Sequence, residues 1–294
     1  MRKTASELQA KSDRTGQKIR KYLPRPLKIF LKKIYFFLFD LKYYMSGGRH
    51  TMVPPPSKHF IGIENYLGIG KEFFSYFKDF GGLQHSDTIL DIGCGSGRMA
   101  IPITEYLTEG EYYGFDIIQD QVEWAQKNIS NKFPNFHFQH VQVVNPIYNK
   151  KGIDADKFSF PFENDMFDFI YLTSVFTHML PKDFNNYLCE INRVLSPDGR
   201  CFATFFILND QSRTLIQSNK STMNFIHEIS SSDCLTNDLS APEEAIAYDE
   251  LYIKDSLKEN NLEMLLPIKY GSWAGREEYL SFQDILILKK IVNQ

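Results

Sequence analysis

Little in this chain would place it in an oxidised, metal-dependent or membrane-spanning class. Its 294 residues include four cysteines, Cys94, Cys189, Cys201 and Cys234, with no CxxC pair and no regular spacing. That excludes a disulfide frame and a zinc ribbon, and it reads as reduced thiols in a cytosolic setting. The seven histidines form no HExxH or comparable signature, so no metal site is expected. Long apolar runs are missing as well. The longest wholly apolar stretch of the N-terminal region, Ile34 to Phe39, is far shorter than the ~20 residues of a membrane-spanning helix. No secretory signal is expected, because the apolar residues begin late, are interrupted by lysines and lack a small-residue cleavage site. No internal repeat is apparent.

What is present is apolar and aromatic. With 43% hydrophobic residues, 25 Phe and 16 Tyr, the chain can bury a large core, and one main domain with an appendage is the natural expectation. The net charge of −3 conceals an asymmetry: residues 1–58 hold 14 Lys or Arg against three acids, a net of +11, which leaves −14 for residues 59–294. Such polarity points to a basic, aromatic-rich attachment segment over 1–58 ahead of an acidic globular body over 59–294, and weighs against a general nucleic-acid binder. Within Ile19 to Met45, residues Leu27, Phe30, Leu31, Ile34, Leu38 and Leu41 recur at the spacing of one helical face, while Lys28, Lys32 and Lys33 lie elsewhere on the turn. Three readings fit this segment. It can lie on an anionic membrane surface, or pack on the body or a subunit partner. Nucleic-acid contact is the weakest reading, because the aromatics sit within the apolar pattern. The stretch SGGRHTMVPPPS, residues 46–57, reads as a hinge.

Beyond the hinge, helices are expected over 65–80, 98–107, 120–131 and 183–195, and strands over 88–92, 112–115, 136–144, 167–172 and 201–208. This alternation argues for βαβ units around a mostly parallel, buried sheet. Residues 210–247 are polar and weak in strand signal, and are expected to form an insertion or a lid. A helix over 250–259 and strands over 262–266 and 285–290 close the chain.

The run DTILDIGCGSGRMA, residues 87–100, places Gly93, Cys94, Gly95, Ser96 and Gly97 between a strand and a helix. Glycine permits a tight turn there and leaves room for a ligand beside the unpaired N–H groups of a helix start. Asp116 ends the next strand about twenty residues on, where an acid accepts hydrogen bonds from both ribose hydroxyls. The pairing identifies a nucleoside-containing ligand. It leaves open a methyl donor, a nicotinamide dinucleotide and a noncatalytic nucleoside-binding protein. The form GCGSG, with Asp91 in front, favours a ligand with an amino-acid end over one with a pyrophosphate.

The run DIGCGSG followed by GFD at 114–116, the segment FPFENDMFDFIYLTSVFTH, the segment EINRVLSPDGRCFATFF and the ending GSWAGREEYLSFQDILILKK together resemble the class I S-adenosylmethionine-dependent methyltransferases of small-molecule type, over about Tyr66 to Lys290. The resemblance implies an α/β, three-layer Rossmann-like fold with a mostly parallel seven-stranded sheet and an antiparallel last strand. It implies S-adenosyl-L-methionine as cofactor and a small-molecule, sugar or lipid acceptor. By the same resemblance Asp91 and the backbone of Gly93, Cys94, Gly95 and Gly97 hold the methionine moiety. Asp116 holds the ribose, Ile117 lies against the adenine, and Thr173 and Ser174 border the sulfonium. One departure stands out: residues 137–144 contain no acid to receive the adenine amino group, and Gln142, Asn145 or Asp156 would substitute.

For the acceptor side, His178 in SVFTHMLP combines a position after the fourth strand with a near-neutral intrinsic pKa, which suits a base or an orienting partner, against the alternative of a cap or structural link. Phe176, Tyr248, Trp273 and Arg276 are candidates for the acceptor pocket or its lid, with packing as the competing explanation. The expected location is cytoplasmic, with peripheral membrane contact through residues 19–45. Oligomeric state is left open.

Overall fold

The computed structural model describes residues 38, 40–42, 45, 52–55, 65–147, 149–229 and 231–291. The chain divides into two compact units, residues 1–63 and 64–294. In the first, residues 38, 40–42 and 45 are helical, and Leu38, Leu41 and Met45 are exposed. The rest of the helix expected over 19–45 lies outside the described residues. Among the described residues no helix is long and apolar enough to cross a membrane.

The second unit opens with helix α1 (Tyr66–Asp79). Strand β1 (Ile89–Ile92), helix α2 (Ala100–Ile103), β2 (Tyr112–Asp116), α3 (Gln119–Ala125), β3 (Phe136–His140) and β4 (Phe167–Leu172) follow. Then come α4 (Pro181–Val194), β5 (Leu195–Phe205), β6 (Ile207–Leu208), α5 (Asp210–Gln217), β7 (His227–Ile229), β8 (Ser231–Thr236), β9 (Ile246–Asp249), α6 (Glu250–Glu259), β10 (Leu262–Lys269) and β11 (Asp284–Lys290). Seven strands form one sheet in the order β10-β11-β5-β4-β1-β2-β3. Strands β1 to β5 run parallel, and β11 is antiparallel to both of its neighbours.

The alternation of each strand divides its side chains between two faces. On one face Phe77 of α1 stacks on Tyr171 at 4.4 Å and meets Phe202 edge-on at 4.9 Å. On the other, α4 buries Phe184, Tyr187, Leu188, Ile191 and Val194 at helical spacing into the cluster that holds Leu90, Ile92, Ile170 and Leu172. Each such side chain contributes ~1.5–3 kcal/mol when taken fully out of water. Pro181 suits the start of α4, where its missing N–H would have no partner in any case.

Local structure departs from the sequence reading at several points. The helix expected over 98–107 shrinks to α2, and that over 120–131 ends as a π-turn over Gln126–Ser130. Between β3 and β4 a single 3₁₀ turn, Ala155–Lys157, stands in a long connection. Here Phe160 and Phe162 cover the sheet, with ring centroids 5.2 Å from Phe115 and 5.0 Å from Phe167. A groove lined by Tyr113, His137, Gln139, Phe162 and Met166 lies on that side, away from the glycine loop.

Of the two readings for residues 210–247, the fold shows the structured insertion. These residues contribute β7, β8 and part of β9 to a second sheet, ordered β6-β9-β8-β7. Phe206, Leu208, Phe225, Leu235, Ala247 and Trp273 form a core of their own beside it. The strand signal is weak because β8 reads SSDCLT, and the partners that stabilise it come from β7 and β9.

Candidate active site

Strand β1 delivers the chain to the Gly93–Gly97 loop at the carboxyl edge of the sheet. Gly93 and Gly97 have φ of 79° and 83°. A Cβ at Gly93 would lie 2.7 Å from Val175 Cγ2, and one at Gly97 2.4 Å from Ile129 Cδ1, so both space and conformation demand glycine. The same close approach brings the exit of β4 against the loop.

The loop spends its donors on itself. Gly93 and Cys94 N–H donate to Phe115 O at 2.9 and 3.1 Å, Gly97 N–H donates to Cys94 O at 3.0 Å, and Gly95 N–H donates to Asp116 Oδ2 at 2.8 Å. The expectation of a nest of unpaired N–H groups is corrected for these four residues. What they present is a surface without side-chain atoms, held rigid. Cys94 is buried behind it with its thiol pushed up by burial, and its Sγ would lie 3.1 Å from a Cβ at Gly114. It is a small residue fitted beneath the turn.

Asp116 braces the loop from the end of β2. Its Oδ2 takes the Gly95 N–H, and its Oδ1 takes the Ile118 N–H at 2.8 Å. Burial raises its pKa, and the backbone bonds pull it back. Ile117 N–H also bonds to this carboxylate, so a ligand hydroxyl would share oxygens that the backbone already bonds. Ile117, half-buried, follows directly beside it. Asp91 is buried under the loop and accepts at Oδ2 from Tyr112 and Tyr171 hydroxyls. Of the candidate substitutes for the missing adenine acid, Asn145 spends Oδ1 on Ile147 N–H, whereas Asp156 keeps a buried Oδ1 without a hydrogen bond.

Thr173 and Ser174 follow β4 and are half-buried. Ser174 is held in the left-handed region, φ 58°, by its N–H donating to Thr204 Oγ1 at 2.8 Å and its Oγ donating to Gln283 Oε1 at 3.0 Å. Thr204 Oγ1 also donates to Gln283 Oε1, at 2.6 Å. Thr204 and Gln283 escaped the sequence reading, since their side chains meet Ser174 only through the β4-β5-β11 register. Tyr66, at the start of α1, also escaped it; its hydroxyl lies 2.9 Å from Ser96 Oγ and closes α1 over the loop.

His178 sits in a 3₁₀ turn, with Nδ1 2.8 Å from Glu243 O, and so links the β4 exit to the insertion. Burial lowers its pKa, which keeps the imidazole neutral near pH 7.

Three acceptor-pocket candidates are core residues, and the expectation for them is corrected. Phe176 is fully buried against Phe184 and Phe205. Tyr248 is fully buried and its hydroxyl donates to Met179 O. Trp273 is fully buried beside Phe206 and Phe225, with Nε1–H donating to Asp284 Oδ2 at 2.7 Å. Arg276 is buried over the Tyr270 ring, its Nη1–H 3.2 Å from Asp284 Oδ1. Asp284 also accepts from Ile207 and Gly271 N–H at 2.7 and 2.6 Å. It is therefore the node that fastens the insertion and the 271–276 segment to β11. Such aromatic and basic residues read as pocket chemistry in sequence because only the fold reveals the buried carboxylate that gathers them.

A doubly wound α/β sheet with a glycine turn after β1 and an acid after β2 defines a nucleoside-binding class. The antiparallel β11, set between β5 and β10, separates it from the dinucleotide fold with its parallel order 3-2-1-4-5-6. Residues 90–203 match the family model described as a methyltransferase domain. The chain is 27% identical over 139 residues to 2-phytyl-1,4-naphtoquinone methyltransferase of Trichormus variabilis, covering 46% of this chain and 55% of that protein. It is 26% identical over 195 residues to the uncharacterized methyltransferase YcgJ of Bacillus subtilis, covering 64% of each. The chain thus spans about half to two thirds of the length of these curated relatives. A crystal structure of a Pyrococcus horikoshii protein superposes with a TM-score of 0.54 at 17% identity, covering 80% of this chain and 95% of that one, which establishes the shared fold. Over its central strands and helices the chain is thus similar to methyltransferases, in sequence and in fold.

Proposed function

We propose that the protein transfers a methyl group from S-adenosylmethionine to a small-molecule acceptor. The observation that carries the reading is a pair of buried carboxyls, Asp91 on β1 beneath the glycine loop and Asp116 at the end of β2 bracing it, beside Gly93 and Gly97, where a Cβ has no room. A ligand with a cationic amino-acid end and a ribose end fits that spacing of acids, and the close approach of Gly93 and Gly97 suits its body. Asp116 holds the ribose hydroxyls, Ile117 packs against the adenine, and the unbonded Asp156 Oδ1 receives its amino group. Asp91 and the loop hold the amino-acid end.

The cofactor supplies an electrophilic methyl carbon on a sulfonium. The remaining work is alignment and exclusion of water, because an in-line displacement gains most from a fixed approach. The Ser174-Thr204-Gln283 knot fixes the backbone that borders the reacting centre. Neutral His178 is the candidate to take the acceptor's proton. The relative named for a quinone supports a lipid-soluble acceptor, and exposed Leu38, Leu41 and Met45 on the basic N-terminal unit favour a second reading, contact with an anionic membrane.

Titration calorimetry with S-adenosylmethionine and with NAD tests the cofactor, and tighter saturable binding of NAD would overturn the reading. Labelled-donor transfer into fractionated cell extract, followed by mass analysis of the product, identifies the acceptor. Donor binding without transfer to any fraction would favour a noncatalytic role.

A further inference from the structure

Side chains from three adjacent strands meet beneath the glycine loop: Asp91 from β1, Tyr112 from β2 and Tyr171 from β4. Both phenols donate to the same oxygen, Oδ2 of Asp91, at 2.6 and 2.9 Å. The two hydroxyls are themselves 3.4 Å apart. Asp91 Oδ1 takes part in neither bond. The rings are packed like core phenylalanines, Tyr171 stacked on Phe77 at 4.4 Å and Tyr112 on Phe136 at 4.8 Å. Phenylalanine would fill the same volume, so the hydroxyls are what tyrosine adds, and each requires a partner when buried.

We propose that Tyr112 and Tyr171 are positioning residues for the donor's amino-acid end: they occupy Oδ2, leave Oδ1 to accept the donor's ammonium, and make donor binding release one proton from Asp91. The inference rests on the function proposed above. In the step, the carboxyl O–H bond breaks and its proton leaves to solvent. The ammonium keeps its own protons and donates one N–H to the carboxylate formed.

The surroundings favour this coupling. Burial pushes Asp91 up to about 7, the two phenol bonds pull it down, and Asp116 on the neighbouring strand raises it. The other titratable groups facing it are the Cys94 thiol of the loop and the Tyr66 phenol of α1, both held protonated by burial. The cation of the group, Arg98, lies over the Tyr66 ring at 5.4 Å, and among the described residues no lysine or arginine forms an ion pair with Asp91. An ionised carboxylate so buried is costly until a positive charge joins it.

The test is calorimetric titration of the full chain with S-adenosylhomocysteine, which carries the same amino-acid end, in buffers of differing ionisation enthalpy. A carboxyl pushed up to about 7 is mostly protonated at pH 6, so ligand binding should release a proton there, and affinity should fall severalfold from pH 7 to pH 6. The ligand's amine titrates near ~8 and stays charged throughout that window. Asp91→Asn should release none at pH 6. Tyr171→Phe and Tyr112→Phe each remove one O–H, which moves the carboxyl upward. Release at pH 7 should therefore rise, with weaker binding. A purely structural role for the tyrosines would lower the melting temperature and leave the proton count unchanged, which would overturn the proposal. Ligand binding to the natural chain at pH 6 without proton release would overturn it equally. Failure of the natural chain to bind either S-adenosylhomocysteine or S-adenosylmethionine would instead overturn the function it rests on.

Discussion

Replacing Asp116 with alanine tests the donor site most directly, because this carboxylate has two tasks that separate by measurement. In the ligand-free fold it accepts Gly95 and Ile118 N–H, each at 2.8 Å. Hydrogen bonds to a charged group contribute roughly 1.5–3 kcal/mol each. Two ribose hydroxyls lost from such a group would cost about 3–5 kcal/mol of donor binding, a rise in Kd of roughly 150-fold to 5,000-fold. Loss of the brace on Gly95 lowers stability by ~1–3 kcal/mol besides, since the freed N–H groups stand at a partly solvated edge. Calorimetry with S-adenosylhomocysteine reads the first quantity and urea unfolding the second. Asp116→Asn separates them further. Its amide keeps one accepting oxygen but turns an NH₂ toward a backbone N–H, so it should bind with intermediate affinity. A folded Asp116→Ala protein binding within about threefold of the natural chain would refute the ribose contact. A stability loss alone would reassign Asp116 as a loop brace.

Asp284→Asn should destabilise the fold by about 3–5 kcal/mol in urea unfolding at pH 7, because it leaves Arg276 buried without its counter-charge, and a loss below about 1 kcal/mol would refute the node. Burial pushes the Asp284 carboxyl up to about 6 from an ordinary 3.8. The folded state therefore binds more protons than the unfolded chain between those values, so this group's contribution falls as pH rises through about 4 to 6, and the asparagine variant should lose that slope. His178→Ala should lower turnover about 100-fold in the labelled-donor assay at saturating donor, with donor affinity unchanged, whereas full turnover would reject it as an essential base. The full chain should sediment with phosphatidylserine vesicles and be released by salt. Reversing Lys28, Lys32 and Lys33 to glutamate should abolish the association, and equal sedimentation of the variant would count against membrane contact.

The order of strands and helices through β5 was legible because β1, β2 and β4 are short and largely apolar, and α4 repeats its apolar residues at helical spacing. The glycine loop and Asp116 were legible for a similar reason, since their geometry is local to one βαβ unit. The insertion was not, because β8 has little apolar content and is stabilised by partners distant in sequence. Trp273 and Arg276 were misread because an exposed pocket and a buried ion pair use the same residue types, and only the position of Asp284 distinguishes them.

The sequence by itself determined the class of sheet, the glycine turn after β1 and the acid that ends β2, since those depend on short-range pattern and on what glycine alone permits. The tertiary structure decided which donors remain for a ligand, which aromatics are core, and that Asp91 shares one oxygen between tyrosines of two neighbouring strands. Those facts arise from strand register and burial, which join residues that the chain order keeps far apart.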